Sequence, residues 1–189
     1  MILPVHTFGD AVLREETQEV AGDSPELQEL ISNMIDTMHG AAGIGLAAPQ
    51  VGRIERLFVI DLGPLVDEED QETLEWPEQP MVFINPEITE ESEDEIEFEE
   101  GCLSIPDLRE YVARPEAIKV VFLDRMLQRQ ELVAGDMLAR VIQHEYDHLD
   151  GVLFIDRISA FRRRLLRRRL KDMAEGLVEA DYPLAIDTP

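Results

Sequence analysis

The chain has 189 residues, enough for one compact domain with a hydrophobic core and too few for two ordinary ones. Its hydrophobic content of 44% is that of a globular protein, and no apolar run approaches the roughly 18 residues that would signal a membrane span. Acidic residues outnumber basic ones 41 to 17, and the resulting net charge of −24 argues against nonspecific binding to DNA or to an anionic membrane.

Met1 to Asp10 lacks the basic start, apolar stretch and cleavage site of a secretory signal, so a cytoplasmic location is expected. Ser24-Pro25-Glu26 supplies an N-cap, a proline at the first helical position and a first-turn carboxylate. Leu27, Leu30, Ile31, Met34, Ile35 and Met38 then recur at helical spacing, predicting a helix that ends near Gly40. Short β-rich runs follow at Leu57 to Asp61, Met81 to Asn85, Ile96 to Glu100 and Ala117 to Asp124. Residues 63–80 are acidic and hold three prolines, which predicts a solvated loop. Nine carboxylates crowd Glu87 to Glu100 without the spaced Asp/Asn-Gly pattern of a calcium loop, and are expected on the wet face of a hairpin.

A second helix is predicted from about Asp136 to Asp150, with Leu138, Val141, Ile142 and Leu149 on its buried side and Gly151 as its stop. Beyond it, Phe161 to Met173 carries a local charge of +6 and leaves −30 for the rest of the chain. Phe161, Leu165, Leu170 and Met173 predict an amphipathic helix with an apolar seam. Its arginines face either the acidic body or an RNA partner.

The second helix contains His144-Glu145-Tyr146-Asp147-His148, an H-E-x-x-H pattern. Imidazoles at i and i+4 leave one face a turn apart and can reach one divalent ion, with Glu145 beside them to handle the proton of a water. A catalytic site of this type takes three protein ligands. Position 154 is phenylalanine and the next helix is arginine-rich, so a third ligand is sought upstream. The only cysteine, Cys102, follows a predicted strand within Glu100-Gly101-Cys102-Leu103-Ser104, and is either that ligand or an inert buried thiol. The loop Gly43 to Gln50 (GIGLAAPQ) lacks the lysine and serine of a phosphate loop and by itself signals only tight packing.

Taken in order, the blocks at 43–50, 100–104 and 143–151 resemble those of the peptide deformylases, and the likeness runs from Ile2-Leu3-Pro4 and Val12-Leu13-Arg14 to the C-terminal helix. The resemblance implies an α+β fold in which antiparallel or mixed sheets pack around the H-E-x-x-H helix, with an N-terminal helix and a basic C-terminal helix. A single domain is expected over 1–189, with the basic helix at about 160–178 and a flexible tail at 180–189.

The resemblance also implies Cys102, His144 and His148 as ligands of one divalent metal. Iron(II) is the family's ion, while zinc, nickel and cobalt suit the same donors. It implies Glu145 as acid/base, and the Gln50 side chain with the Leu103 backbone N–H as partners of a formyl oxygen. Backbone around Ile44, Gly45 and Gly101 would pair with the peptide as an added strand. Ile44, Phe98, Met137 and Val141 would line a methionine pocket, with Glu100 and Arg109 completing the substrate site. The implied reaction frees formate from N-formylmethionyl nascent peptides. The implied docking on the ribosome near the nascent-chain exit would use Arg162, Arg163, Arg164, Arg167, Arg168, Arg169 and Lys171. The alternatives are an H-E-x-x-H metallopeptidase and a non-catalytic ribosome-associated module. Arg140 departs from expectation, since an apolar neighbour of the pocket belongs there; its guanidinium is expected to reach Glu100 or solvent.

Overall fold

The computed structural model describes residues 1–65 and 76–185. Nine strands and three α-helices appear among them: β1 (Val5–His6), α1 (Pro25–Gly40), β2 (Gly45–Ala47), β3 (Leu57–Ile60), β4 (Met81–Glu91), β5 (Glu95–Cys102), β6 (Ile105–Pro115), β7 (Ala117–Leu123), β8 (Arg129–Gly135), α2 (Asp136–Leu149), α3 (Ala160–Ala174) and β9 (Leu184–Ala185). The predicted α+β class holds. Strands β2-β3-β4-β7-β8 form an antiparallel sheet, β5 and β6 a separate hairpin, and β1 and β9 a short parallel pair. Most of the expected acidic loop at 63–80 lies outside the described residues.

The apolar runs at 57–60 and 81–84 are continuous because both faces of the sheet are covered. Phe58, Ile60, Met81 and Phe83 pack with Leu138, Ala139, Val141 and Ile142 of α2. Leu57, Val59, Val82 and Ile84 point the other way, onto Leu27, Ile31, Met34 and Met38 of α1. Ser24 caps α1 by accepting the Leu27 N–H at 3.1 Å, with Pro25 in the first turn, as its sequence predicts. α2 ends before Gly151, whose φ of +69° and close approach to the Arg14 backbone exclude a side chain.

Three expectations need correction. The acidic run from Glu87 does not fold into one hairpin, since β4 pairs with β7 while β5 pairs with β6. The α3 seam is also rotated: Leu166, Leu170 and Met173 enter a third core with Ile105, Leu108 and Val112, whereas Phe161 and Leu165 are 71% and 62% exposed. The rotation brings Arg162 onto buried Glu110 and Arg169 onto the Asp107 carbonyl, so the helix is set partly by ion pairing. Finally, α3 stops at Ala174 rather than 178, and residues 180–185 are no loose tail, because Leu184 and Ala185 pair with Val5 and His6. Residues 186–189 lie outside the described residues.

Asp156 joins three parts of this arrangement. Its carboxylate pairs with Arg14 and Arg163 and accepts the Leu153 N–H at 2.9 Å. Burial opposes its ionisation, but the bonds from Arg14 and Leu153 outweigh burial and lower its pKa. A lowered folded pKa contributes stability above the unfolded value of about 4 and loses it as pH falls through the folded value. Asp156→Asn should therefore cost about 1 kcal/mol at pH 7, discounted for partial exposure. In urea melts across pH, the gap from the unsubstituted protein should shrink below about pH 4; a gap that widens there would contradict the assignment.

Candidate metal centre and substrate cleft

The H-E-x-x-H residues sit on α2, and Cys102 sits where β5 breaks register at the tip of its hairpin. The Cys102 Sγ lies 3.2 Å from His148 Nε2, and one potential ligand atom from each of Cys102, His144 and His148 falls within 4.8 Å of the others. One thiolate and two imidazoles at this spacing fit a single divalent transition-metal ion. The His148 Nδ1 and Glu145 Oε2 are buried with no protein partner among the described residues.

His144 is oriented by Glu100, whose Oε2 lies 2.9 Å from Nδ1, leaving Nε2 as the nitrogen free to ligate. The Glu100 carboxylate also accepts from Arg114 at 2.6 and 2.9 Å and from Arg140 at 2.9 Å. Burial works against its charge, yet the bonds from Arg114 and His144 hold it well below the usual carboxylate range. Arg114 is 1% exposed and also donates to Asp147 at 2.7 Å, within the H-E-x-x-H segment; Arg157 closes the other side of Asp147. Arg140 takes the first of its two expected courses. It spans from α2 to Glu100 and to the Val112 and Ile96 carbonyls, away from solvent.

Glu145 is enclosed, and burial pushes its pKa up to about 7. Gly45 is what makes room for it, since a Cβ at that position would lie 2.3 Å from Glu145 Oε1. The tight packing expected of the 43–50 loop is thus packing against the acid/base candidate. The Gln50 side chain is 1% exposed. Its Oε1 accepts the Ala47 N–H at 2.7 Å, which fixes the amide so that Nε2 points to Cys102 Sγ (3.4 Å) and Ser104 Oγ (3.3 Å).

These groups open onto a cleft of about 920 Å³. Ile44, Gly45, Phe98, Glu100, Gly101, Arg109, Met137 and Val141 all border it, as do Gln50, Leu103 and Glu145. Phe98 stands at its rim, 45% exposed. Two strand edges flank the cleft: among the described residues, β2 is the last strand of its sheet, and β5 pairs only with β6. The Asp61 N–H bonds the Ile44 carbonyl at 2.9 Å, which makes Gly45 and Ile60 a non-hydrogen-bonded pair and turns the Gly45 N–H and C=O to the open side.

The polypeptide deformylase family profile matches residues 2–164. The chain belongs to the polypeptide deformylase family. A peptide deformylase of Salinibacter ruber is 64% identical over 184 residues, 97% of this chain and 94% of that one. One from Chlorobaculum tepidum is 44% identical, covering 99% and 96%. Among solved structures, a peptide deformylase from Legionella pneumophila superposes with a TM-score of 0.80 at 39% identity, over 92% and 95% of the two chains. The Ehrlichia chaffeensis enzyme in complex with actinonin gives 0.81 at 35%, over 91% and 97%. The chain is accordingly a metal-dependent hydrolase that removes the N-formyl group from nascent peptides, and the peptidase and non-catalytic alternatives fall away.

Three residues of the site escaped the sequence reading. Arg114 fell in none of the predicted strands, Asp147 was read only as a position inside the H-E-x-x-H segment, and Tyr182 lay in the expected tail. The Gly45 contact yields a direct test. Gly45→Ala should lower kcat on a formyl-methionyl peptide by about tenfold or more by displacing Glu145, with the thermal midpoint little changed. Full turnover would mean that Glu145 has somewhere else to go.

Proposed function

We propose that Cys102, His144 and His148 hold one divalent ion, iron(II) by family resemblance, with zinc, nickel and cobalt compatible with the same donors. When bound, such an ion supplies a Lewis acid that makes water acidic enough to attack near neutral pH. The observation that carries the reading is convergence. The three candidate ligands, the enclosed Glu145 carboxyl and the fixed Gln50 amide meet at one end of a cleft edged by two open strands.

Glu145 takes a proton from the attacking water and returns it to the leaving α-amine. The Gln50 Nε2 and the Leu103 N–H donate to the formyl oxygen as it gains charge. Gly45 and Gly101 hold the peptide backbone between the strand edges, and Ile44, Phe98, Met137 and Val141 enclose the methionine side chain. Glu100 acts on His144 rather than on substrate, and Arg109 borders the peptide path beside Gly101. Glu145→Ala should cut formate release by at least about a thousandfold while metal content stays at one ion per chain; release at the unsubstituted rate would remove Glu145 from the mechanism.

We also propose that the enzyme works in the cytoplasm, at the ribosome, through α3. Among the described residues, Arg162 pairs with Glu110, Arg163 with Asp156 and Lys171 with Glu175, while Arg169 bonds the Asp107 carbonyl. Arg164, Arg167 and Arg168 make no such contact there and are exposed, which leaves them as the candidate RNA-facing charges. Removing the whole helix would strip Leu170 and Met173 from the core, so charge replacement is the cleaner probe. Replacing Arg164, Arg167 and Arg168 by glutamine should weaken ribosome co-sedimentation and flatten its salt dependence, with peptide turnover unchanged. Unchanged co-sedimentation would refute this docking face.

A further inference from the structure

The family profile ends at residue 164, yet the chain beyond α3 returns to the cleft. Glu179 to Tyr182 form part of the cleft wall, and the strand that follows is anchored where Val5 donates its N–H to the Pro183 carbonyl at 2.9 Å. Within this strap the Tyr182 hydroxyl donates to the Leu103 carbonyl at 2.8 Å, an unstrained O–H···O distance. Burial of the phenol, then the nearby Cys102 and Asp107, raise its pKa above the usual value, so it remains a donor at any physiological pH.

Leu103 lies in a short turn held from several sides. The Ser104 carbonyl accepts the Phe8 N–H at 2.8 Å, the Ser104 hydroxyl meets Gln50 Nε2, and the Leu103 side chain fills space that a side chain at position 43 would occupy. Tyr182 is the group that fixes Leu103's own carbonyl. We propose that Tyr182 is a positioning residue for deformylation: it holds the Leu103–Ser104 peptide plane and thereby restricts rotation about the Leu103 Cα, which sets the direction of the Leu103 N–H on the preceding peptide toward the formyl oxygen. This rests on the reading of the Leu103 N–H as a formyl-oxygen donor. A donor that contributes chiefly as charge develops must already be in place, because its value falls steeply with small displacement. The hydrogen bond to the Leu103 carbonyl thus comes from the C-terminal strap rather than from the turn's own hairpin.

Tyr182→Phe deletes one oxygen and keeps the ring. The expected result is a kcat about tenfold lower, with KM within about twofold, one metal ion per chain and an unshifted thermal midpoint. Gln50→Ala, alone and combined with Tyr182→Phe, shows whether both act on the same oxygen: a shared target makes the double loss smaller than the product of the single losses. Unsubstituted kcat in Tyr182→Phe, a loss that tracks metal or midpoint, or strictly multiplicative losses would overturn the proposal. In each of those cases a kcat loss in Gln50→Ala alone keeps the formyl-oxygen reading, whereas full kcat in Gln50→Ala sinks that reading and the proposal with it.

Discussion

The site depends on one buried carboxylate. Glu100 ties the hairpin that carries Cys102 to the helix that carries both histidines, through Arg114, Arg140 and His144. Each partner alone would be expensive to bury; an uncompensated charge in such a network costs roughly 3–5 kcal/mol. Together, Glu100 and Asp147 set two negative charges against three guanidiniums, Arg114, Arg140 and Arg157. The network therefore does two things at once. It fixes the distance between separate pieces of chain, and through Glu100 it orients His144.

That double role explains what the sequence could reveal and what it could not. The H-E-x-x-H spacing, the caps of α1 and the apolar runs of β3 and β4 are local patterns, and each appears where periodicity predicts it. Strand β6 is different. Its inward positions 108, 110, 112 and 114 carry Leu, Glu, Val and Arg, so the alternation that betrays a half-buried strand is broken by two charged residues. Those residues point inward because Glu110 finds Arg162 and Arg114 finds Glu100, partners 52 and 14 positions away. No local pattern announces a partner at that distance. Arg140 was conspicuous for the same reason: it breaks an apolar helix face and is explained only by the carboxylate across from it.

α3 shows the same interplay of charge and packing. A helix with so many arginines and only a few apolar residues has little intrinsic reason to choose one face. Arg162, Arg163 and Arg169 are drawn to acidic or carbonyl oxygens of the body, which turns Leu166, Leu170 and Met173 inward and leaves Phe161 and Leu165 outside. The two readings of the arginine segment were thus not exclusive. The body takes some of the charges, and the arginines on the far side are left facing solvent.

The cleft's form bears on why one enzyme can serve many nascent chains. Side-chain pockets discriminate among sequences, whereas strand edges bind through N–H and C=O groups that every residue shares. With β2 on one side and β5 on the other, a peptide entering between them meets backbone first. Gly45 and Gly101 flank that path without side chains of their own, and the Gly45 backbone groups are turned toward it. On the proposed roles, side-chain selectivity rests with Val141 and Met137 and chemical selectivity with Gln50 and Glu145, all of which line the cleft. The Glu145 carboxyl occupies space that exists because residue 45 lacks a Cβ. The same glycine therefore turns its backbone groups to the open edge of β2 and gives the Glu145 side chain its place, so one missing Cβ shapes both the wall of the cleft and the carboxyl beside it.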